Sequence, residues 1–213
     1  MSGMDFEEQK EALIKKLITL RALKTPRIIE AFRKVPRHFF VRKDLLKHAY
    51  EDIPLPTYCG QTISQPYTVA IMTEALQPKP GEKILEIGAG SGWQAAILAY
   101  CVKPKGKVIT LELEKKLVEF ARNNIKKVGL KNVKVIHWDG KKGYAKEAPY
   151  DKCMITAACE EIPKPVLEQV KVGGRIVAPV NHLFTQRMIV LDKLGKNKFR
   201  KMDLGSFVFV PLR

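Results

Sequence analysis

No stretch of the sequence reaches about 18 consecutive apolar residues, so no transmembrane helix is expected. The opening stretch, MSGMDFEEQKEALIKKL, is charged and amphipathic and lacks the apolar core of a signal peptide. A cytoplasmic protein without a membrane partner is the expectation. Cysteine is scarce: Cys59, Cys101, Cys153 and Cys159 form no C-x-x-C pair, and no His/Cys cluster has zinc spacing. The four read as buried, reduced thiols, with Cys59 and Cys159 in loops near the expected site, where a thiol can react. No metal site is expected. Acids are outnumbered, 22 against 38 Lys and Arg, for a net charge of +16. That excess invites a nucleic-acid partner. A single-strand-binding face interleaves basic and aromatic residues, and the nearest such run is Arg33 to Arg42 around Phe39-Phe40. The lysine pairs are scattered, from Lys15-Lys16 to Lys141-Lys142, which fits a solvated surface with no specific nucleic acid. Internal repeats and low-complexity segments are absent. What is present is 46% apolar residues in 213, enough for one sizeable core and short for two.

One stretch organises the rest: KILEIGAGSGWQAAIL, residues 83–98. Its apolar start suits a buried parallel strand with one acid, Glu86, out of pattern. Gly88, Gly90 and Gly92 follow, then helix formers with apolar residues at helical spacing. Strand, glycine turn and helix build a ligand site at the carboxyl ends of an α/β sheet. A dinucleotide site would read G-x-G-x-x-G, with pyrophosphate over the helix start. Glu86 would repel a pyrophosphate and suits a ligand with positive charge, such as an ammonium or a sulfonium. A nicotinamide-dependent oxidoreductase is excluded mainly on this spacing.

Taken in order, residues 4–24 read as a helix with Phe6, Leu13, Leu17 and Leu20 near one face. Pro26 opens a second helix over 27–33, and Pro36 ends it. An irregular region runs to Pro56, with one short helix at 44–49. Residues 51–66 have no period of either kind; an ordered loop of that length is more often functional than filler. Pro66-Tyr67 opens a helix over 68–76. Strands are then expected at 83–87, 107–111, 133–137, 150–156 and 175–179. Helices are expected at 92–100, 115–128 (stopped by Gly129) and 163–170. Runs 187–193 and 198–210 close the chain around a hairpin at Gly195-Lys196-Asn197. This order predicts an α/β fold: a doubly wound, mostly parallel sheet with helices on both faces, an antiparallel C-terminal end and an N-terminal helical extension.

Ligands in such sheets bind beyond the carboxyl ends of the strands, near the switch point. Glu86, residues 88–92, Glu112, Asp139-Gly140 and Thr156-Ala157-Ala158 all fall there. A carboxylate at Glu112 can accept from both hydroxyls of a ribose; taken alone it is equally an exposed strand-end acid. Asp139-Gly140 can accept from an adenine amino group and leave room for the ring, or form a plain turn. Trp93 either encloses a ligand or packs the helix start.

Glu86-x-Gly88-x-Gly90-x-Gly92 resembles motif I of the class I S-adenosylmethionine-dependent methyltransferases. A second, more specific resemblance precedes it. Leu55-Pro56 and then Gly60-Gln61-Thr62-Ile63-Ser64-Gln65-Pro66 resemble the signature of the protein-L-isoaspartate (D-aspartate) O-methyltransferase family. The likeness continues through Val69-Ala70, Met72-Thr73-Glu74, Asp139-Gly140, Tyr150-Asp151, residues 155–158, Ile162-Pro163 and Gly173-Gly174. It implies a Rossmann-like methyltransferase fold and a single domain, 1–213. Residues 1–80 would give the N-terminal helices and substrate loop, 81–180 the cofactor-binding core and 181–213 the C-terminal strands. The implied cofactor is S-adenosyl-L-methionine, leaving S-adenosyl-L-homocysteine. It would be held by Glu86, Gly88, Ala89, Gly90, Ser91, Gly92, Glu112, Asp139, Gly140 and Thr156. Substrate would meet Gln61, Thr62, Ile63 and Ser64, with Ser64 as the catalytic position. On bare sequence Ser64, just upstream of a helix, reads as an N-cap; the resemblance reverses that. Departures from the family pattern are Trp138 where Gly is common, the charged Cys159-Glu160-Glu161, and Thr57-Tyr58-Cys59 in place of smaller residues.

The implied reaction methylates the α-carboxyl of L-isoaspartyl residues in peptides and proteins. The ester then closes to a succinimide and reopens partly to aspartate, a repair of spontaneous damage. A carboxylate is ionised at neutral pH, so no general base, metal or protein nucleophile is needed. A tRNA or rRNA methyltransferase would need a base pocket or a substrate-activating motif such as Asn-Pro-Pro-Tyr or a Pro-Cys nucleophile, and neither is found in the sequence. A binding module without catalysis gives no reason for GQTISQP. A monomer is the expected form.

Overall fold

The computed structural model of the protein describes residues 5–213; residue 4, the expected start of the first helix, lies outside the described residues. Helix α1 spans Phe6–Thr19, and the Asp5 carboxylate caps it by accepting from the Glu7 and Glu8 N–H groups. It ends five residues before the sequence suggests, because Arg21 turns into the left-handed region at φ 56°. Helix α2 is Pro26–Lys34. The short helix expected at 44–49 is a 3-10 helix, Lys43–His48. Residues 51–66 hold regular structure after all. Strand β1, Leu55–Pro56, pairs antiparallel with β2, Thr62–Ile63. Two-residue strands are too short for alternation to be read. Helix α3, Pro66–Leu76, is capped from a distance: Asp52 Oδ1 accepts from the Tyr67 N–H at 2.9 Å.

Seven strands form the main sheet: β3 Lys83–Ile87, β4 Lys107–Glu112, β5 Val133–His137, β6 Tyr150–Ile155, β7 Val170–His182, β8 Thr185–Gly195 and β9 Lys198–Phe207. Their order is β5-β4-β3-β6-β7-β8-β9. The first five run parallel, and β7-β8-β9 form an antiparallel meander at one edge. The sheet grows in one direction from β3 to β4 and in the other from β3 to β6, which puts the switch point between β3 and β6. Strand β7 is much longer than the expected 175–179. It starts at Val170, paired with Tyr150 across a register shift, and runs to His182 along β8.

Helices α4 (Trp93–Cys101), α5 (Lys115–Lys127) and α6 (Lys164–Gln169) complete the layers. The two faces are covered unequally. Ile84, Val108, Val135, Met154 and Val177 share one core with α4, α5 and the N-terminal helices. Leu85, Ile87, Ile109, Cys153, Ile155 and Ile176 face the other way, under α6, Tyr144 and Ala148. Between β5 and β6 that second face has two 3-10 turns, Gly140–Lys142 and Ala145–Glu147, where a crossover helix would stand. Cys101, Cys153 and Cys159 are buried, but Cys59 is exposed, correcting the expectation of four buried thiols. Cys59 occupies the exposed β1–β2 turn, at φ 58°.

Candidate active site

At the carboxyl ends of β3, β4 and β6 lies a cavity of about 940 Å3, counted to its open mouth. The sequence places fourteen candidate residues near it. Eleven line it: Gln61, Thr62, Ile63, Ser64, Gly88, Ala89, Gly90, Ser91, Glu112, Gly140 and Thr156. Three do not: Glu86, Gly92 and Asp139. Gly92 is the cap residue of α4, and Asp139 Oδ1 caps the following 3-10 turn by accepting from the Lys141 N–H at 3.0 Å.

The glycine turn is held from three sides. Glu112 Oε2 accepts from the Gly90 N–H at 2.8 Å, while Oε1 accepts from Leu113 and Glu114 at 2.9 and 3.0 Å. Asn124 Nδ2, on α5, donates to the Ser91 carbonyl at 3.1 Å. Thr156 Oγ1 lies 2.7 Å from the Gly88 carbonyl and 3.0 Å from that of Ile87, joining β6 to the turn. Gly88 has φ 98°, and a Cβ there would sit 2.5 Å from Thr156 Oγ1, so only glycine serves. Glu86, in mid-strand, is fully buried with both carboxylate oxygens unpartnered. The Thr110 hydroxyl lies across the β3–β4 pair, outside hydrogen-bond geometry. Burial pushes the Glu86 carboxyl up to about 8; the neighbouring Thr110 hydroxyl lowers it and the Glu112 charge raises it. A buried, unpaired carboxyl of this kind favours a nearby cation.

Ser64 lines the same cavity from the loop before α3. It does not cap α3: Pro66 fills the first turn, Gln65 is the cap residue, and the Tyr67 N–H goes to Asp52. Among the described residues nothing bonds its hydroxyl, which leaves it for a ligand. Its backbone is fixed instead. The Arg37 guanidinium, 1% exposed, donates to the carbonyls of Ala49 (2.7 Å), Ile53 (3.0 Å) and Ser64 (3.2 Å) and, at the limit, Glu51 (3.5 Å). It lies over the Trp93 ring, 5.3 Å from the centroid. Burial lowers Arg37 to about 10, still charged at neutral pH. Trp93 does both things the sequence leaves open, lining the cavity and donating from Nε1 to the Val35 carbonyl at 3.1 Å.

The departures find physical roles. Trp138 lines the cavity, with Nε1 donating to the Gly143 carbonyl at 2.9 Å and its ring edge-on to Tyr144. Tyr58 anchors the β1–β2 turn on α5 through Phe120, with the Lys116 ammonium 4.3 Å from its ring centre. Cys159 does not line the cavity. Its Sγ faces the Pro179 carbonyl at 3.4 Å, and burial pushes the thiol up to about 11, which corrects the expectation of reactivity there.

Sequence reasoning missed the tail. Val210, Pro211, Leu212 and Arg213 line the cavity, and Arg213 pairs with Glu114 at 3.2 Å across its rim. Val69 and Met72 of α3 were also missed. Their apolar spacing marked them as core only.

A family model described as protein-L-isoaspartate(D-aspartate) O-methyltransferase matches residues 8–213. The protein-L-isoaspartate O-methyltransferase of Methanopyrus kandleri is 48% identical over 208 residues, which cover 97% of this chain and 92% of that one. Protein-L-isoaspartate O-methyltransferase 2 of Archaeoglobus fulgidus is 48% identical over 210 residues, covering 99% and 95%. A solved protein-L-isoaspartate O-methyltransferase superposes with a TM-score of 0.87 at 30% identity, over 95% of this chain and 65% of that one. A beta-aspartate methyltransferase structure from Plasmodium falciparum, in complex with S-adenosyl-L-homocysteine, shares the fold: TM-score 0.85, 24% identity, 95% and 97% coverage.

Proposed function

The chain belongs to the protein-L-isoaspartate(D-aspartate) O-methyltransferase family, and from that membership we propose that it methylates the α-carboxyl of L-isoaspartyl residues in damaged peptides and proteins. The methyl donor is S-adenosyl-L-methionine. The ester closes to a succinimide without further help from the enzyme, which starts repair toward aspartate. One observation carries this reading: the Gln61-Thr62-Ile63-Ser64 loop and the glycine turn with Glu112 line one and the same cavity.

The residues present suit the donor. Glu112 offers a carboxylate to a ribose at the cavity wall, and Glu86 offers an unpartnered buried acid beneath the turn. A Cβ at Gly140 would overlap Ile87, so only glycine fits at that point of the cavity lining. We assign Glu86, Gly88, Ala89, Gly90, Ser91, Gly92, Glu112, Asp139, Gly140 and Thr156 to holding it. When bound, S-adenosyl-L-methionine supplies a methyl group on a positively charged sulfur. Everything else falls to the chain. The acceptor carboxylate is ionised at neutral pH and needs no base. Gln61, Thr62 and Ile63 hold the acceptor, and the Ser64 hydroxyl orients its carboxylate. Trp138 and the tail keep water out. Alignment of two reactants in this way is worth roughly 7–11 kcal/mol of barrier.

Residues 1–213 act as one methyltransferase domain, since stretches 1–80, 81–180 and 181–213 all contribute to the cavity. The form we expect is a cytoplasmic monomer acting on polypeptides, without a specific nucleic-acid or membrane partner. Among the described residues no helix is long and apolar enough to cross a membrane. The test is methyl transfer from labelled donor to an isoaspartyl peptide, beside the matching aspartyl peptide and tRNA. Label on the isoaspartyl peptide alone is expected. Equal labelling of the aspartyl peptide, or labelling of tRNA, overturns the reading.

A further inference from the structure

The three most exposed large apolar side chains among the described residues lie together. Phe184 is 101% exposed, Val208 94% and Leu183 88%, and all three line one surface groove of about 980 Å3 with Glu160 and Phe207. Leu183 and Phe184 form the tip between β7 and β8. Because β7 runs parallel to β3, that tip projects from the same end of the sheet as the cavity. Groups of exposed apolar side chains rimmed by polar ones mark interaction sites.

The groove is continuous with the cavity through the backbone. The Ala158 N–H donates to the Val210 carbonyl at 2.8 Å, and the Leu212 N–H to the Ala158 carbonyl at 2.7 Å. On the other side, the Cys159 N–H donates to the Pro179 carbonyl at 3.1 Å, and the Asn181 N–H to that of Cys159 at 2.9 Å. Phe209 is pinned to β8, its N–H donating to Gln186 Oε1 at 2.6 Å. Val208 is thus held in the open by fixed neighbours. Val210 lines the cavity and Val208 the groove, two residues apart, at most about 7 Å of extended chain.

We propose that this groove takes an apolar side chain of the substrate polypeptide, two or three residues from the isoaspartyl residue whose carboxyl enters the cavity. The inference rests on the polypeptide reading above and adds a sequence preference to it. An extended substrate advances about 3.3–3.6 Å per residue, which sets that spacing. Glu160 accepts from Asn181 Nδ2 at 2.7 Å, so two of the polar groups at the groove's edge are engaged with each other beside Leu183, Phe184, Phe207 and Val208.

The test is steady-state kinetics on isoaspartyl hexapeptides that carry Leu or Ser two residues before, or two after, the isoaspartyl position. The wild-type chain is compared with the Leu183→Ser/Phe184→Ser double variant. Both substituted side chains are exposed, and matching melting curves check that folding is intact. At one of the two positions the wild type is expected to show a KM about five- to tenfold lower for Leu than for Ser. In the variant that ratio falls to about one, with kcat on the Ser peptide unchanged. An equal ratio in both proteins overturns the groove and leaves the isoaspartyl reading standing. So does sedimentation showing a wild-type dimer that the double substitution dissolves, which would give the groove to a second copy. Methylation of neither peptide overturns the groove together with the reading it rests on.

Discussion

Ser64 sits where sequence alone supports two roles, a helix cap or a contact with substrate. The geometry removes the first, because Gln65 holds the cap position and Ser64 lines the cavity with no partner for its hydroxyl among the described residues. Ser64→Ala is therefore expected to lower kcat about 100-fold, the scale for losing one orienting donor. Calorimetry should find S-adenosyl-L-homocysteine affinity unchanged; a parallel loss of both counts against the role. Glu112 should behave in the opposite sense. Glu112→Ala removes a charged acceptor for ribose and also frees the Gly90 N–H, so affinity should drop about ten- to a hundredfold. Unaltered affinity would contradict it. Glu86 links the site to stability. Its folded value is raised from 4.5 to about 8, so the native state binds more protons than the unfolded chain within that window. Its contribution to stability is therefore lost as pH rises from about 4.5 and levels off above about 8. Urea titrations should show Glu86→Gln gaining on the wild type between about pH 5 and about pH 9. A gap that does not change with pH would show that the acid is ionised at little cost.

At the scale of elements, the loop before α3 depends on one buried cation. Arg37 gathers the carbonyls of residues 49, 51, 53 and 64, and so fixes the segment that carries Ser64. Arg37→Met leaves those carbonyls unpaired and should cost at least about 2 kcal/mol of stability. It should raise KM for the isoaspartyl peptide while donor affinity holds. Arg37→Lys should recover only part of this, because an ammonium lacks the planar fork. Equal KM in the wild type and the methionine variant would reduce Arg37 to a purely structural role. The element order itself was legible in the sequence, since apolar runs, Gly92 and Gly129 mark strand ends and helix limits. The β1–β2 hairpin was not, being two residues to a strand. Nor was the length of β7, which is set by pairing with β8 and by the register shift at Tyr150.

For the whole molecule, what the sequence hides is long-range. Arginine is ordinarily a surface residue, so nothing local marked Arg37 as buried. The tail returns to the cavity through pairing of Ala158 with residues 210–212, about fifty positions away, and no periodicity encodes that closure. The motif residues, in contrast, announce themselves because three alternating glycines directly after a buried strand that carries an acid form a local pattern. The central claim is that this cavity joins a donor's methyl group to the carboxyl of an isoaspartyl residue. Mass spectrometry of one isoaspartyl peptide, incubated with S-adenosyl-L-methionine and the protein, tests it most directly. The account predicts gain of a single methyl group on the isoaspartyl residue, then its loss as methanol to leave the succinimide, with methylation about 100-fold slower in Ser64→Ala. A peptide that stays unmethylated while the wild-type protein binds the donor, or a methyl group that survives mild base, would contradict it.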